Sequence, residues 1–88
     1  MAIAARLRLI DFDNMSFNEI SSIFNKAKDD LNLFLSQNWL DNDPYTLKNV
    51  TRVSKFMNRN LAEFNYMQLK NYINSIITLL EFSFIPDV

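Results

Sequence analysis

The chain contains no glycine, and its two prolines are Pro44 and Pro86. Glycine is the residue that most readily adopts the left-handed backbone of tight turns and of phosphate-binding loops. A chain without it offers few positions that end a helix, and it lacks both common glycine-rich nucleotide-binding motifs. The sequence therefore predicts an all-α fold with long helices, and nucleotide binding through such a loop is not expected.

The residue types needed for most catalytic and metal sites are missing. Cysteine and histidine are absent, which excludes disulfides, thiol nucleophiles, soft metal sites and the usual general base. Asp11 with Asp13, and Asp41 with Asp43, alternate in loop-like segments without a third ligand, so we interpret them as turn-forming and capping residues. We expect no enzyme activity, no catalytic residue, no cofactor and no metal site.

Charge and hydropathy limit the possible partners. The net charge is -1, so a strong attraction to nucleic acid or to an anionic membrane is not expected. No apolar run approaches the roughly 18 residues that span a bilayer. Arg6 and Arg8 interrupt the apolar part of the N-terminus, so a secretory signal peptide is not expected either, and any export would use another route.

The first helix has a clear start signal. Residues 1–15 form a leader without periodicity that ends in DFDN, where Asp and Asn favour a turn. Ser16 and Glu19 then have the spacing of a capping box. The sequence predicts helix one over residues 16–40, and its apolar face recurs at steps of three and four. That face comprises Ile20, Phe24, Ala27, Leu31 and either Phe34 or Leu35.

The second helix is predicted to follow a short turn over residues 41–44, defined by Asn42, Asp43 and Pro44. Asp43 suits the N-cap, and Pro44 suits the first helical position because the amide hydrogen that it lacks has no partner there. No further glycine or proline occurs until near the C-terminus. We therefore predict one long C-terminal helix over residues 45–82, so that the chain is a single-domain hairpin of unequal arms followed by a tail of residues 83–88.

The far end of this long helix, residues 66–82, is apolar around most of its circumference. A shorter first helix cannot cover it, so we expect either the leader or, preferably, other copies of the chain to bury it. The expected assembly interface consists of Leu69, Ile73, Ile76, Ile77 and Leu80.

Two polar stripes leave alternatives open. Lys70, Asn71 and Asn74 belong to a narrow polar line that is either the solvent side of a bundle or, in an assembly, the lining of an aqueous channel. A basic stripe on the first half of helix two is either a solvated face or a surface for phosphates or an acidic partner. The basic stripe comprises Lys48, Arg52, Lys55 and Arg59.

The pattern as a whole resembles the needle subunits of bacterial type III secretion systems, including the related inner rod. The segment DNDPYTL resembles the turn DNPALL or SDPALL of that family, and RNLAEFNYMQLKNYINSII resembles the stretch that follows it. Within that stretch, the matching pairs are Arg59 with Asn60, Lys70 with Asn71, and Ile76 with Ile77.

The resemblance implies a structural protein that self-assembles into a hollow helical filament and conducts unfolded effector proteins. It implies Lys70, Asn71 and Asn74 near the lumen, export to the bacterial cell surface, and other secretion components, with a chaperone for the monomer, as partners. The second hypothesis is a small helical binding module, such as a bacterial immunity protein or a phage inhibitor, that acts on one protein partner.

Overall fold

The structure is a computed structural model that describes residues 2–38 and 44–83. These residues form helices and loops without a β-strand, which confirms the all-α class. The helices are α1 (Ala2–Arg8), α2 (Phe17–Asn38), α3 (Pro44–Phe56) and α4 (Tyr66–Ser83), with one turn of 3-10 helix at Leu61–Glu63.

The predicted leader contains a helix that the sequence analysis missed. α1 places Ile3, Ala4 and Leu7 in the core. The predicted turn follows, because Asp11 accepts hydrogen bonds from the Asp13 backbone nitrogen at 3.0 Å and from the Asn14 side chain at 2.7 Å. The N-terminal segment is therefore an integral part of the bundle.

The predicted start of helix one is confirmed. The Ser16 backbone nitrogen donates to Glu19 Oε1 at 3.1 Å, and the Glu19 nitrogen donates to Ser16 Oγ at 3.2 Å. Pro44 is the first residue of α3, as predicted. The last predicted residues of helix one, 39–40, and the turn residues Asn42 and Asp43 lie outside the described residues, as do tail residues 84–88.

The prediction of a continuous helix over residues 45–82 is wrong. α3 ends at Phe56 and α4 begins at Tyr66. Asparagine side chains replace the helical hydrogen bonds in between: Asn60 Oδ1 accepts from the Ala62 nitrogen at 3.0 Å. Such local side-chain bonds compete with helix and can end one without glycine or proline.

α4 begins with a second capping box that the sequence analysis overlooked. The Asn65 nitrogen donates to Gln68 Oε1 at 3.0 Å, and the Gln68 nitrogen donates to Asn65 Oδ1 at 2.8 Å. This reciprocal pair satisfies two backbone donors at the new helix start. The pattern Asn-x-x-Gln was the available signal.

The four helices form a ring in which each packs against two neighbours, in the order α1, α2, α3, α4 and back to α1. Arg8 at the end of α1 pairs with Glu81 near the end of α4, whereas Phe12 packs on Tyr66 at the start of α4, so the segment that follows α1 runs antiparallel to α4. Ser54 Oγ of α3 donates to Asn32 Oδ1 of α2 at 2.9 Å.

The core lies inside the ring and receives side chains from every helix. The bundle measures 38 × 24 × 17 Å, which leaves the outer helix faces in solvent. Its largest fully buried side chains are Phe24, Leu7, Leu31, Met57, Ile73, Ile76, Leu80 and Val50.

Candidate functional site

The residues expected to form an assembly interface lie in the core of the single chain. Because the chain turns back after Phe56, α3 and α1 both pack on α4 and cover its apolar side. Of the two covers predicted for this helix, the leader is therefore the one that packs on it in the single chain, and burial by other copies stays a prediction. The buried set is Leu69, Ile73, Ile76, Ile77 and Leu80, each 8% exposed or less.

The predicted polar line lies on the outer side of α4. Lys70, Asn71 and Asn74 are exposed. Ser75 Oγ donates to the Asn71 carbonyl at 2.9 Å, and Thr78 Oγ1 donates to the Asn74 carbonyl at 3.1 Å. In the single chain this line faces solvent, and the role of its residues in a lumen stays a prediction.

The outer side of α3 carries charge of one sign only. Lys48, Arg52 and Lys55 are exposed along one side of the helix and define what we term the basic face. The opposite side of α3 is buried through Val50 and Val53. α3 contains no acidic residue, and none of the three cations pairs with a carboxylate within residues 2–38 and 44–83.

Arg59 does not belong to the basic face, although the sequence spacing placed it there. It follows the end of α3, and its guanidinium lies 3.3 Å from Glu63 Oε2. The same guanidinium lies 5.2 Å from the centre of the Phe64 ring, within the range of a cation–π contact. The Arg59 guanidinium thus contacts residues of the turn after α3. The predicted stripe of four cations therefore contains three on α3.

A shallow open groove of about 550 Å³ runs along the basic face. Pro44, half-buried Leu47 and Thr51 line it together with the three cations. At 3.6 residues per turn the three cations lie together along one side of this groove and Leu47 lies beside them, so the groove offers cationic and apolar contacts next to each other. This arrangement can bind and orient a partner.

An aromatic cluster that the sequence analysis missed fixes the end of α3. The ring of Tyr72 lies 4.7 Å from that of Phe64, 5.2 Å from that of Phe56 and 5.9 Å from that of Phe24. The Tyr72 hydroxyl donates to the Phe56 carbonyl at 2.6 Å, and burial raises the pKa of this phenol. Aromatic residues at positions 56, 64 and 72 were the available signal.

A second tyrosine ties the loop after α1 to the start of α4. The Tyr66 hydroxyl donates to Asp13 Oδ1 at 2.6 Å, and this hydrogen bond is the main reason that the pKa of Tyr66 is raised. The ring of Phe12 packs edge-on against Tyr66 at 6.4 Å. Asp13 is thus a structural acceptor.

Metal-binding groups and membrane-spanning helices are both absent from the described residues. Within residues 2–38 and 44–83, no group of three acidic, histidine or cysteine side chains is placed to hold a metal ion. Among the same residues, no helix has the length and hydropathy needed to cross a bilayer.

No family model, curated protein or solved structure matches this chain. The resemblance to needle subunits therefore stays a prediction.

Proposed function

We propose that the protein is a small helical binding module that recognises an acidic surface of one protein partner through the basic face of α3. One observation carries the proposal: three exposed cations lie in line on a helix without an acidic residue, and none has a carboxylate partner in the described part of the chain. By contrast, Arg6, Arg8 and Arg59 each pair with an acidic side chain.

A protein partner fits this surface better than nucleic acid does. The whole chain has a net charge of -1, so a long polyanion gains little from the rest of the molecule. No aromatic residue stands between Lys48 and Lys55 in the sequence, so the face lacks the stacking platform of single-strand binders. Leu47 adds an apolar contact of the kind that protein interfaces use.

The expected binding is salt-dependent. An exposed ion pair contributes roughly 0.2–1 kcal/mol, so the basic face alone gives modest affinity. Its larger effect is on the rate of encounter with an acidic surface, and this steering weakens as salt shortens the screening length. Apolar contacts from the partner would supply the remaining affinity.

The test uses a fluorescently labelled poly-glutamate peptide as probe and anisotropy as readout. The variant K48E/K55E removes two cations of the basic face, whereas K26E/K28E makes the same change of net charge on α2. We expect the wild type and K26E/K28E to bind at low salt, and K48E/K55E to lose binding. Equal loss in both variants, or tighter binding of duplex DNA than of the peptide, would overturn the proposal.

We keep the self-assembling filament at the bacterial surface as the alternative proposal. With the predicted interface, the filament requires α4 to leave the bundle, because Ile73, Ile76 and Leu80 are fully buried within the single chain. Light scattering over a range of protein concentrations distinguishes the two functions. Unlimited growth into large species supports the filament, whereas a small species at every concentration supports the binding module.

A further inference from the structure

The outer side of α4 has a seam of uncharged residues with an apolar side chain at each end. The seam consists of Met67, Asn71, Asn74, Thr78 and Phe82, at the three- and four-residue steps that keep side chains on one side of a helix. Met67 is 63% exposed and Phe82 is 67% exposed. Charge depletion at the centre of a helix face is typical of an interface.

One margin of the seam carries a cation and an anion near opposite ends of the helix. Lys70 and Glu81 are about three helical turns apart and therefore lie on the same side. Lys70 has no carboxylate partner among residues 2–38 and 44–83, whereas Glu81 pairs with Arg8. A helix that matches this margin must present its charges in the reverse order.

We propose that α4 packs against α4 of a second copy of the chain, in an antiparallel dimer with a two-fold axis beside Ser75. An antiparallel copy of the same helix presents the required reverse order of charges. This interface is independent of the basic face of α3 and goes beyond the proposed recognition of an acidic partner. Across the axis the expected pairs are Met67 with Phe82, Asn71 with Thr78, and Lys70 with Glu81.

The polar centre of the seam can be buried without leaving a hydroxyl donor unsatisfied. Ser75 and Thr78 already donate to carbonyls of their own helix. The side chains of Asn71 and Asn74 have no hydrogen-bond partner in the described part of the chain, and a second copy would supply amides to pair with them. In such a dimer, each copy thus provides hydrogen-bond partners for the asparagine side chains that face solvent in the other copy.

The size of the central side chain also fits close approach of two helices. Ser75 is small, and an open groove of about 530 Å³ surrounds it on the outer side of α4. Asn71 and Asn74 line the same groove. A mostly polar seam with one apolar residue at each end predicts a weak dimer that forms with rising concentration.

Cysteine crosslinking tests the geometry directly because the chain has no cysteine of its own. In the full chain, S75C lies beside the axis and should oxidise to a disulfide-linked dimer several-fold faster than N25C, a control at an exposed position of α2. M67C alone should stay monomeric, and a mixture of M67C with F82C should form the mixed dimer. Disulfides require Cα atoms within about 7 Å, so this pattern is specific for the antiparallel register.

Two results of that experiment would overturn the proposal. If S75C crosslinks no faster than N25C, α4 is not the interface. If M67C crosslinks with itself as readily as S75C does, the helices are not antiparallel. Neither result changes the expected binding of poly-glutamate by the basic face. The dimer and the recognition of an acidic partner can therefore be disproved independently.

Sedimentation provides the second measurement and does not require oxidation. N74K places two lysines next to each other at the axis, and we expect the dimer dissociation constant to rise by about tenfold or more. N25K adds the same charge on α2 and should leave it unchanged. A wild-type protein that stays monomeric at every concentration, or that grows without limit, would overturn a closed dimer.

Discussion

α2 and α4 both begin with a capping box, but the segments that lead into the two boxes are held in different ways. Ser16 and Glu19 start α2 after an exposed turn built on Asp11. Asn65 and Gln68 start α4 after a turn whose aromatic residues pack toward the core. The box sets where each helix begins, whereas the preceding segment sets the direction in which it leaves.

The turn before α4 depends on a single buried side chain. Tyr72 contacts the rings of Phe56 and Phe64, and its hydroxyl binds the carbonyl at the end of α3. The turn before α2 also packs Phe12 and Met15 against the core, but its side-chain hydrogen bonds, such as the one from Tyr66 to Asp13, lie at the surface. Substitutions in the core should therefore disturb the turn before α4, whereas substitutions of exposed polar groups should disturb the start of α2.

The largest expected effect comes from Tyr72→Ala. Removal of a buried aromatic ring typically costs about 3–5 kcal/mol in the free energy of unfolding, because the surrounding side chains do not fill the cavity. Tyr72→Phe keeps the ring and loses the hydrogen bond to Phe56, which should cost about 1 kcal/mol. Urea unfolding followed by circular dichroism measures both.

The matched control is Tyr66→Ala, which removes a tyrosine that is half exposed and also makes one hydrogen bond. It should cost far less than Tyr72→Ala. If the two alanine variants lose the same stability, the aromatic cluster does not hold the turn, and the contrast between the two helix starts fails.

A smaller effect is expected from the two caps. Ser16→Ala and Asn65→Ala each remove the side-chain acceptor of a capping box and should each cost about 1 kcal/mol. Hydrogen exchange should accelerate at the Glu19 amide in the first variant and at the Gln68 amide in the second. Asn58→Ala, in the same turn but outside a cap, is the control. An Asn65→Ala variant as stable as this control would show that packing alone starts α4.

The sequence predicted what depends on local chemistry. The capping box of α2 and Pro44 as the first residue of α3 both follow from short-range rules. The break between α3 and α4 was not predicted, because asparagine tolerates helix and only the surrounding packing decides against it. The spacing of the cations predicted the basic face. It also placed Arg59 there, which is wrong because the helix ends before Arg59.

The smallest expected effects separate two sets of groups by pH: the Asp11 carboxyl on the acid side and the tyrosine hydroxyls on the alkaline side. The side-chain hydrogen bond from Asn14 is the main reason that the pKa of Asp11 lies below 3.8. A lowered carboxyl pKa gives stability that is present above its unfolded value and is lost as the pH falls through the folded value. The pKa of Tyr66 and that of Tyr72 are raised above 10.0. The stability that these two phenols contribute is fully present below pH 10.0, and it is lost as the pH rises through their raised pKa values.

Two variants test this separation. Asn14→Ala should reduce the loss of stability on the acid side and leave the alkaline side unchanged, because it removes the group that lowers the pKa of Asp11. Tyr66→Phe removes one of the raised phenols and should reduce only the alkaline loss. The measurement is the urea midpoint across the pH range for each variant and the wild type. If Asn14→Ala changed the alkaline side instead, the Asp11 carboxyl would be coupled to the tyrosine hydroxyls through Asp13, and the two pH ranges would not report separate groups.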